Sequence, residues 1–270
     1  MMARIATLLA ACGSEHGILP PTALYNEGWM LRLVLDWFGQ NRKLDHKLSF
    51  LPGARWYSEA LLPSRFHPQS RRDNRGESFT HADGIVGHFS IQPGERGEAT
   101  LEADARQFVV IEAKLGSGLS QGVKNAKDFD QAARNVACMA HMLGNKGIRP
   151  DTLERLAFYV IAPQEQIDGG VFGSLVTKDS IREKVAARVT QYDGQWDTWL
   201  RTIFEQALGR MDVGLLSWEE ILAFLLAADS DASALREFYA RCIRFNPLGG
   251  RRLATPETPT AESIEATIGE

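Results

Sequence analysis

The sequence has 270 residues, of which 44% are hydrophobic and 24% are charged, and its formal net charge is −4. This length allows one large domain or a core with an appended subdomain, and the composition is that of a globular protein. An acidic chain is not expected to coat nucleic acid non-specifically, although a local basic surface would still bind it. No segment has the roughly 18 apolar residues of a membrane span, so we expect no membrane contact and a cytoplasmic location.

Hydrophobic periodicity predicts the order of the elements in the first part of the chain. Apolar positions at helical spacing indicate helices, and short apolar runs rich in β-branched residues indicate strands. In chain order we predict a helix at residues 22–38, strands near 56–62, 85–89 and 108–111, a helix at 124–143 and a strand at 156–161. Two prolines precede the first helix, as is typical of a helix start. The pattern therefore predicts an α/β core.

Three charged residues mark the strand ends of this core. The apolar run at residues 108–111 leads directly into Glu112, Ala113 and Lys114, and Asp83 precedes the strand near residue 85. Residues two apart in a strand point to the same face, so Glu112 and Lys114 project together, and Asp83 joins them if the two strands pair. Two carboxylates and a lysine suit a hydrated Mg²⁺ and the hydrolysis of a phosphodiester.

Asp83 followed by Glu112-Ala113-Lys114 resembles the active-site signature of the PD-(D/E)XK nuclease superfamily. The resemblance covers roughly residues 22–163, and Ala82 stands where the name of the signature asks for proline. It implies a restriction-endonuclease-like core of order αβββαβ, in which a mixed central sheet is flanked by helices. It also implies that Asp83, Glu112 and the Ala113 carbonyl bind Mg²⁺, with Mn²⁺ as a substitute, and that Lys114 assists the attacking water.

Two helical residues extend the resemblance. Members of the superfamily often carry a glutamate on the first core helix and a glutamine or another polar residue on the helix after the lysine strand. Glu27 and Gln131 match these positions. The resemblance implies that Glu27 binds a second metal or a metal-bound water, and that Gln131 orients Lys114 or the substrate. Gln131 and Asn135 are four residues apart and therefore share a helix face.

A basic segment precedes the Asp83 strand. Residues 42–75 contain eight basic and three acidic side chains, and its most polar part carries Arg71, Arg72 and Arg75. Such a segment, interleaved with aromatic residues, is typical of a nucleic-acid groove and equally of a solvated loop. We predict that the three arginines contact substrate phosphates. A zinc site needs three or four close ligands, so none is predicted here. His81, two residues from Asp83, is a candidate for supporting a metal ligand or contacting a phosphate. His88 lies five residues from Asp83, on the opposite face of a regular strand, and is interpreted as structural.

The rest of the chain carries no catalytic spacing. Four helices are predicted at residues 179–191, 196–208, 217–227 and 231–245, the third with a capping-box pattern at its start. We predict a nuclease-like core at residues 1–163, a helical subdomain at 164–248 that serves substrate selection, a homodimer contact or a partner protein, and a disordered acidic tail at 249–270.

Two functional hypotheses follow. The first is a Mg²⁺-dependent nuclease that cleaves DNA rather than RNA, in antiphage defence, restriction or repair, which are the settings of the superfamily. The second is a catalytically inactive module that keeps the fold and binds nucleic acid or a partner protein. The presence of Asp83, Glu112 and Lys114 together favours the enzyme, because an inactivated copy is free to lose any of them.

Overall fold

The central feature of the computed structural model is a five-stranded mixed sheet. The structure describes residues 2–12, 17–68, 73, 75–77, 79–92, 97–122 and 126–247. The strands are β1 (Arg55–Leu62), β2 (Thr80–Gly87), β3 (Phe89–Ile91), β4 (Ala99–Leu101), β5 (Gln107–Ala113), β6 (Arg155–Ala162) and β7 (Asp212–Ser217). The sheet has the order β1-β2-β5-β6-β7, and β3 pairs with β4 as a separate hairpin. The pairs among β1, β2 and β5 are antiparallel, whereas β5, β6 and β7 run parallel.

Helices cover both faces of the sheet. They are α1 (Met2–Ala10), α2 (Glu27–Gln40), α3 (Gln131–Lys146), α4 (Gln164–Asp168), α5 (Lys178–Thr190), α6 (Asp197–Trp199), α7 (Glu205–Arg210), α8 (Trp218–Ala228) and α9 (Ser233–Phe245). A π-helical turn, Leu200–Phe204, joins α6 to α7. None of the helices in the described ranges is both long and apolar enough to cross a membrane.

Alternation along β5 explains the two helical layers. Phe108 and Val110 face the core formed with α3, α5 and α7. Val109 and Ile111 face the core formed with α2, α8 and α9. Because successive strand residues point to opposite faces, a strand covered on both sides must be apolar throughout. All seven residues of β5 are buried, so Glu112 is placed in an apolar setting by the strand that carries it.

The predicted α/β class, the mixed sheet with flanking helices and the mostly helical C-terminal part are confirmed. The elements α2, β1, β2, β5, α3 and β6 follow one another in the predicted order, with the β3–β4 hairpin inserted. Two helix starts differ from the prediction because nearby side chains cap them: Asn26 accepts from the Trp29 N–H at the start of α2, and Asp130 accepts from the Ala133 N–H at the start of α3.

One element after residue 163 was not predicted. The strand β7 pairs in parallel with β6, from Ala157 opposite Asp212 to Ala162 opposite Ser217, and extends the central sheet. The predicted capping box is present, with Ser217 and Glu220 each accepting a backbone N–H of the other. The predicted acidic tail, residues 249–270, lies outside the described residues.

Close contact between α2 and β2 depends on Gly84. A Cβ atom at this position would lie 3.0 Å from the Leu31 Cδ2 atom and 3.1 Å from the Leu35 Cδ1 atom. Gly84→Ala is therefore expected to lower the free energy of unfolding by about 1–3 kcal/mol, as overpacking does in a close-packed core. Urea unfolding measures this change.

Gly209→Ala provides the matched control. Gly209 lies in α7, and a Cβ atom added there would meet no other atom within 4 Å. Alanine also favours a helix over glycine by up to about 1 kcal/mol, so this substitution should not destabilise the fold. Equal destabilisation by the two substitutions would contradict the role given to Gly84.

Candidate active site

The pairing of β2 with β5 brings Asp83 to the end of β5. Gly84 lies opposite Ile111 in the antiparallel ladder. One residue further, the Asp83 Oδ2 atom accepts a hydrogen bond of 2.8 Å from the Ala113 N–H. The carboxylate thereby takes the place of a backbone acceptor, and Asp83 is fixed beside the Glu112-Ala113-Lys114 segment, as the sequence predicts.

Glu112 and Lys114 project to the same face of β5. The Lys114 Nζ atom lies 2.7 Å from the Glu112 Oε1 atom, and the Glu112 side chain is fully buried. Both backbone polar groups of Lys114 are hydrogen-bonded. Its N–H donates to the Ile161 carbonyl at 2.8 Å, and its carbonyl accepts from the Trp218 indole at 2.9 Å. Strand pairing and α8 together set the position of this lysine.

Helix α3 supplies two amides to Glu112. The Gln131 side-chain amide donates to Glu112 Oε1, and the Asn135 Nδ2 atom donates to Glu112 Oε2 at 3.3 Å. The Gln131 Oε1 atom in turn accepts from the Ser120 N–H at 3.1 Å. The sequence prediction gave Gln131 a role and none to Asn135, although their shared helix face was the signal that both reach the same group.

Asp83 perturbs the buried Glu112 carboxyl group. Burial and then the charge of Asp83 raise the pKa of Glu112 from its ordinary 4.5 to about 8, while Lys114 opposes this shift. Hydrogen bonding between the Asp83 and Glu112 side chains acts in the same direction as burial. One nearby lysine therefore does not compensate two adjacent carboxylates in an apolar setting.

The backbone of Asp83 is held at an irregular position of the β1–β2 pair. Ser58 pairs with Gly84 and Ala60 with Ala82, and Glu59 between them has a positive φ of 57°. The Ser58 hydroxyl donates to the Asp83 carbonyl at 3.2 Å. Arg32 of α2 donates to the Ser58 hydroxyl at 2.9 Å and to the Glu59 carboxylate at 3.2 Å. Irregular strand positions of this kind commonly re-aim a side chain next to a functional site.

Glu27 is not grouped with the carboxylate pair. It occupies the first turn of α2, near the Cys242 thiol, whose pKa is raised to about 12 by burial and then by Glu27. Within the part of the chain that the structure describes, no three His, Cys, Asp or Glu side chains form a group able to hold a metal. Asp83, Glu112 and Glu27 therefore do not form a three-carboxylate site.

The donors available to a cation are two carboxylates and a carbonyl. The N–H and C=O of one strand residue point to the same side of the strand. Since the Ala113 N–H donates to Asp83, the Ala113 carbonyl also points toward the Asp83 strand. Mg²⁺ is commonly held by one or two carboxylates and keeps several waters, so this donor set fits it without a third acidic side chain.

The basic segment is only partly described. Arg71 and Arg72 lie outside the described residues. Arg75 donates to the Gln191 carbonyl at 2.9 Å and lies over the Tyr192 ring, so its guanidinium is engaged by the loop after α5. These contacts give Arg75 a structural partner that the sequence did not suggest.

The two histidines near Asp83 differ in their surroundings. The His88 Nδ1 atom lies 3.2 Å from the Gln107 N–H and its Nε2 atom 3.0 Å from the Pro52 carbonyl, so its interpretation as a structural residue is confirmed. His81 is exposed.

Stability of the metal-free protein is expected to fall as the pH rises from about 5 to about 8. Glu112 ionises near its ordinary pKa of 4.5 in the unfolded chain and near 8 in the folded protein. Between these values the folded state binds more protons, so the free energy of unfolding decreases with pH. Urea unfolding in EDTA measures the slope, which Glu112→Gln should reduce and which Glu183→Gln, at an exposed residue of α5, should leave unchanged. An identical slope in Glu112→Gln would contradict the assignment.

Comparison of the chain with protein-family models, curated proteins and solved structures found no match. The functional interpretation of the cluster therefore depends on its own geometry: a buried glutamate beside a partly buried aspartate, one lysine and two helix-borne amides, where β2 pairs with the end of β5.

Proposed function

We propose that this protein is a metal-dependent nuclease of the PD-(D/E)XK type, with a restriction-endonuclease-like core and DNA as its substrate. The observation that carries the proposal is that Asp83, Glu112 and Lys114 meet where β2 pairs with the end of β5. In the sequence, Glu112 and Lys114 follow Asp83 by 29 and 31 residues. The order of α2, β1, β2, β5, α3 and β6 supports the fold assignment.

The surroundings of Glu112 support a divalent cation as the missing compensation. The two carboxyl groups are adjacent, and the pKa of Glu112 is raised to about 8 despite Lys114. The Asn135 Oδ1 atom is buried and has no hydrogen-bond partner among the described residues, which is unusual for a buried acceptor. Asp83, Glu112 and the Ala113 carbonyl would hold Mg²⁺, or Mn²⁺ in its place. The metal supplies a water of lowered pKa and charge compensation at the phosphate.

The chain's own residues orient the reaction. Lys114 has three ammonium protons, and one of them is used by Glu112 at 2.7 Å. The others have no hydrogen-bond partner among the residues that the structure describes, so they would orient the attacking water or neutralise a phosphate oxygen. Gln131 links Glu112 to the loop at Ser120, so it fixes the wall of the site next to the loop. Positioned groups of this kind contribute to catalysis by aligning the reactants before the bond breaks.

A non-catalytic nucleic-acid-binding or partner-binding module is the second candidate. Both oxygens of Glu112 already accept hydrogen bonds from Lys114, Gln131 and Asn135. A carboxylate with that many donors is a stable structural element without any ligand. This observation is the reason to test binding and cleavage separately.

Lys114→Ala is expected to lower the cleavage rate by on the order of 10²–10⁴-fold while leaving nucleic-acid binding nearly unchanged, because it removes a group used in the transition state. Asp83→Ala should also abolish cleavage, through loss of metal affinity. Cleavage of labelled DNA and RNA in Mg²⁺ or Mn²⁺, with binding measured in parallel, checks both.

Lys178→Ala is the matched control, since the Lys178 ammonium donates to the Gly209 carbonyl at 2.9 Å and to neither member of the carboxylate pair. It should retain cleavage. If the unmodified protein binds nucleic acid but cleaves neither DNA nor RNA, the non-catalytic module is the better description. A protein that neither binds nor cleaves nucleic acid would contradict the nuclease and would leave only the partner-binding form of the second candidate.

A further inference from the structure

A cavity lies near the C-terminal end of α3, away from the carboxylate pair. It has a volume of about 310 Å³, and its lining includes Arg65, His141, Asn145, Thr198, Trp199 and Thr202. None of the described residues that line it is acidic. His141 and Gln131 are ten residues apart on one helix, which places the cavity roughly 15 Å along the helix axis from the glutamine of the candidate active site.

Arg65 is an uncompensated cation in this lining. Its guanidinium carbon lies 3.8 Å from the centroid of the Trp196 ring. It makes no hydrogen bond and no ion pair with any residue that the structure describes, and its Nε atom is buried without a partner. An arginine stacked on an aromatic ring loses little further freedom when it binds an anion, and its planar fork matches a phosphate.

Trp199 adds a buried donor. The residue is 7% exposed, and its indole N–H has no hydrogen-bond partner among the described residues. Buried N–H groups normally have a partner, and an unpaired one carries a desolvation cost that an acceptor removes. The π-helical turn, Leu200–Phe204, brings Thr202 to the same lining, and such turns are frequent at functional sites.

The charged groups that act on His141 are both basic. Burial, then the charges of Arg65 and His67, lower the pKa of His141 to about 4. A neutral His141 accepts from Asn145, whose Nδ2 atom lies 3.1 Å from the His141 Nε2 atom. Neutral polar groups and one free cation, with no acid in the described lining, favour an anionic ligand over a cationic or apolar one.

We propose that this cavity is an anion site that binds a phosphate group through Arg65 and Trp199. The volume suits one phosphate with an attached sugar, and two sources share this chemistry: a free nucleotide and the backbone of a nucleic-acid strand. The site is separate from the carboxylate pair, and its existence does not depend on the nuclease function. Failure of one proposal therefore leaves the other in place.

Indole ¹H–¹⁵N spectra test the site directly, because the protein has six tryptophans and the Trp199→Phe variant assigns the relevant signal. Inorganic phosphate, added at constant ionic strength, should shift the Trp199 signal in a saturable way. Arg65→Gln should weaken this affinity by about tenfold or more, the usual effect of removing a charged hydrogen-bond donor. Arg201→Gln should leave the affinity unchanged, since Arg201 is an exposed residue of the same π-helical turn and does not line the cavity.

A mononucleotide and a single-stranded oligonucleotide then identify the source. A free nucleotide as ligand is indicated if the mononucleotide shifts the Trp199 signal more strongly than phosphate does. A backbone phosphate is indicated if only the oligonucleotide does so. Should Arg65→Gln fail to fold, calorimetry on Trp199→Phe, which keeps the aromatic ring, must still show weaker phosphate binding than the unmodified protein. The proposal is overturned if none of the three probes gives a saturable shift, or if Arg65→Gln and the unmodified protein bind equally.

Discussion

The burial of Glu112 next to Asp83 is the constraint on which the surrounding structure depends. The Glu112 side chain has no exposed surface, and Asp83 is hydrogen-bonded across the strand end. A buried carboxylate is costly unless charges and hydrogen bonds compensate it, and removing one partner of a buried pair is more harmful than replacing both. The contacts of Lys114, Gln131 and Asn135 all serve this one group. The fold tolerates the pair only because three elements, α2, α3 and α8, converge on it.

Those elements approach from different directions, which makes the cluster rigid. Helix α3 reaches Glu112 from one face of the sheet, whereas α2 reaches Asp83 from the other through Arg32 and Ser58. The indole of Trp218, at the start of α8, fixes the Lys114 carbonyl. A site carried by strands and helices holds its geometry better than a site carried by loops. Gly84 is the condition for the α2 contact, since any side chain there would meet Leu31.

The sequence could predict the parts of this site that depend on local pattern. The apolar run before Glu112, the two-residue spacing to Lys114 and the shared face of Gln131 and Asn135 are local signals, and the structure brings these residues together. Tertiary contacts decided the rest. The strand β7 is short and owes its conformation to pairing with β6, and Arg75 is engaged by Tyr192, which lies more than a hundred residues later. The start of α2 is likewise set by a side-chain contact, the Asn26 cap, which the spacing of apolar residues does not show.

The lysine links the structural and the chemical demands of the site. Its ammonium compensates Glu112 with one of three protons, and 11% of its side chain is exposed. A fully buried lysine could not reach solvent or substrate, and a fully exposed one would not lower the cost of burying Glu112. In its partly buried position, the Lys114 ammonium can compensate Glu112 and also reach the substrate. The backbone bonds to Ile161 and Trp218 keep it there, so the end of β5 is where the stability of the sheet and the proposed chemistry use the same atoms.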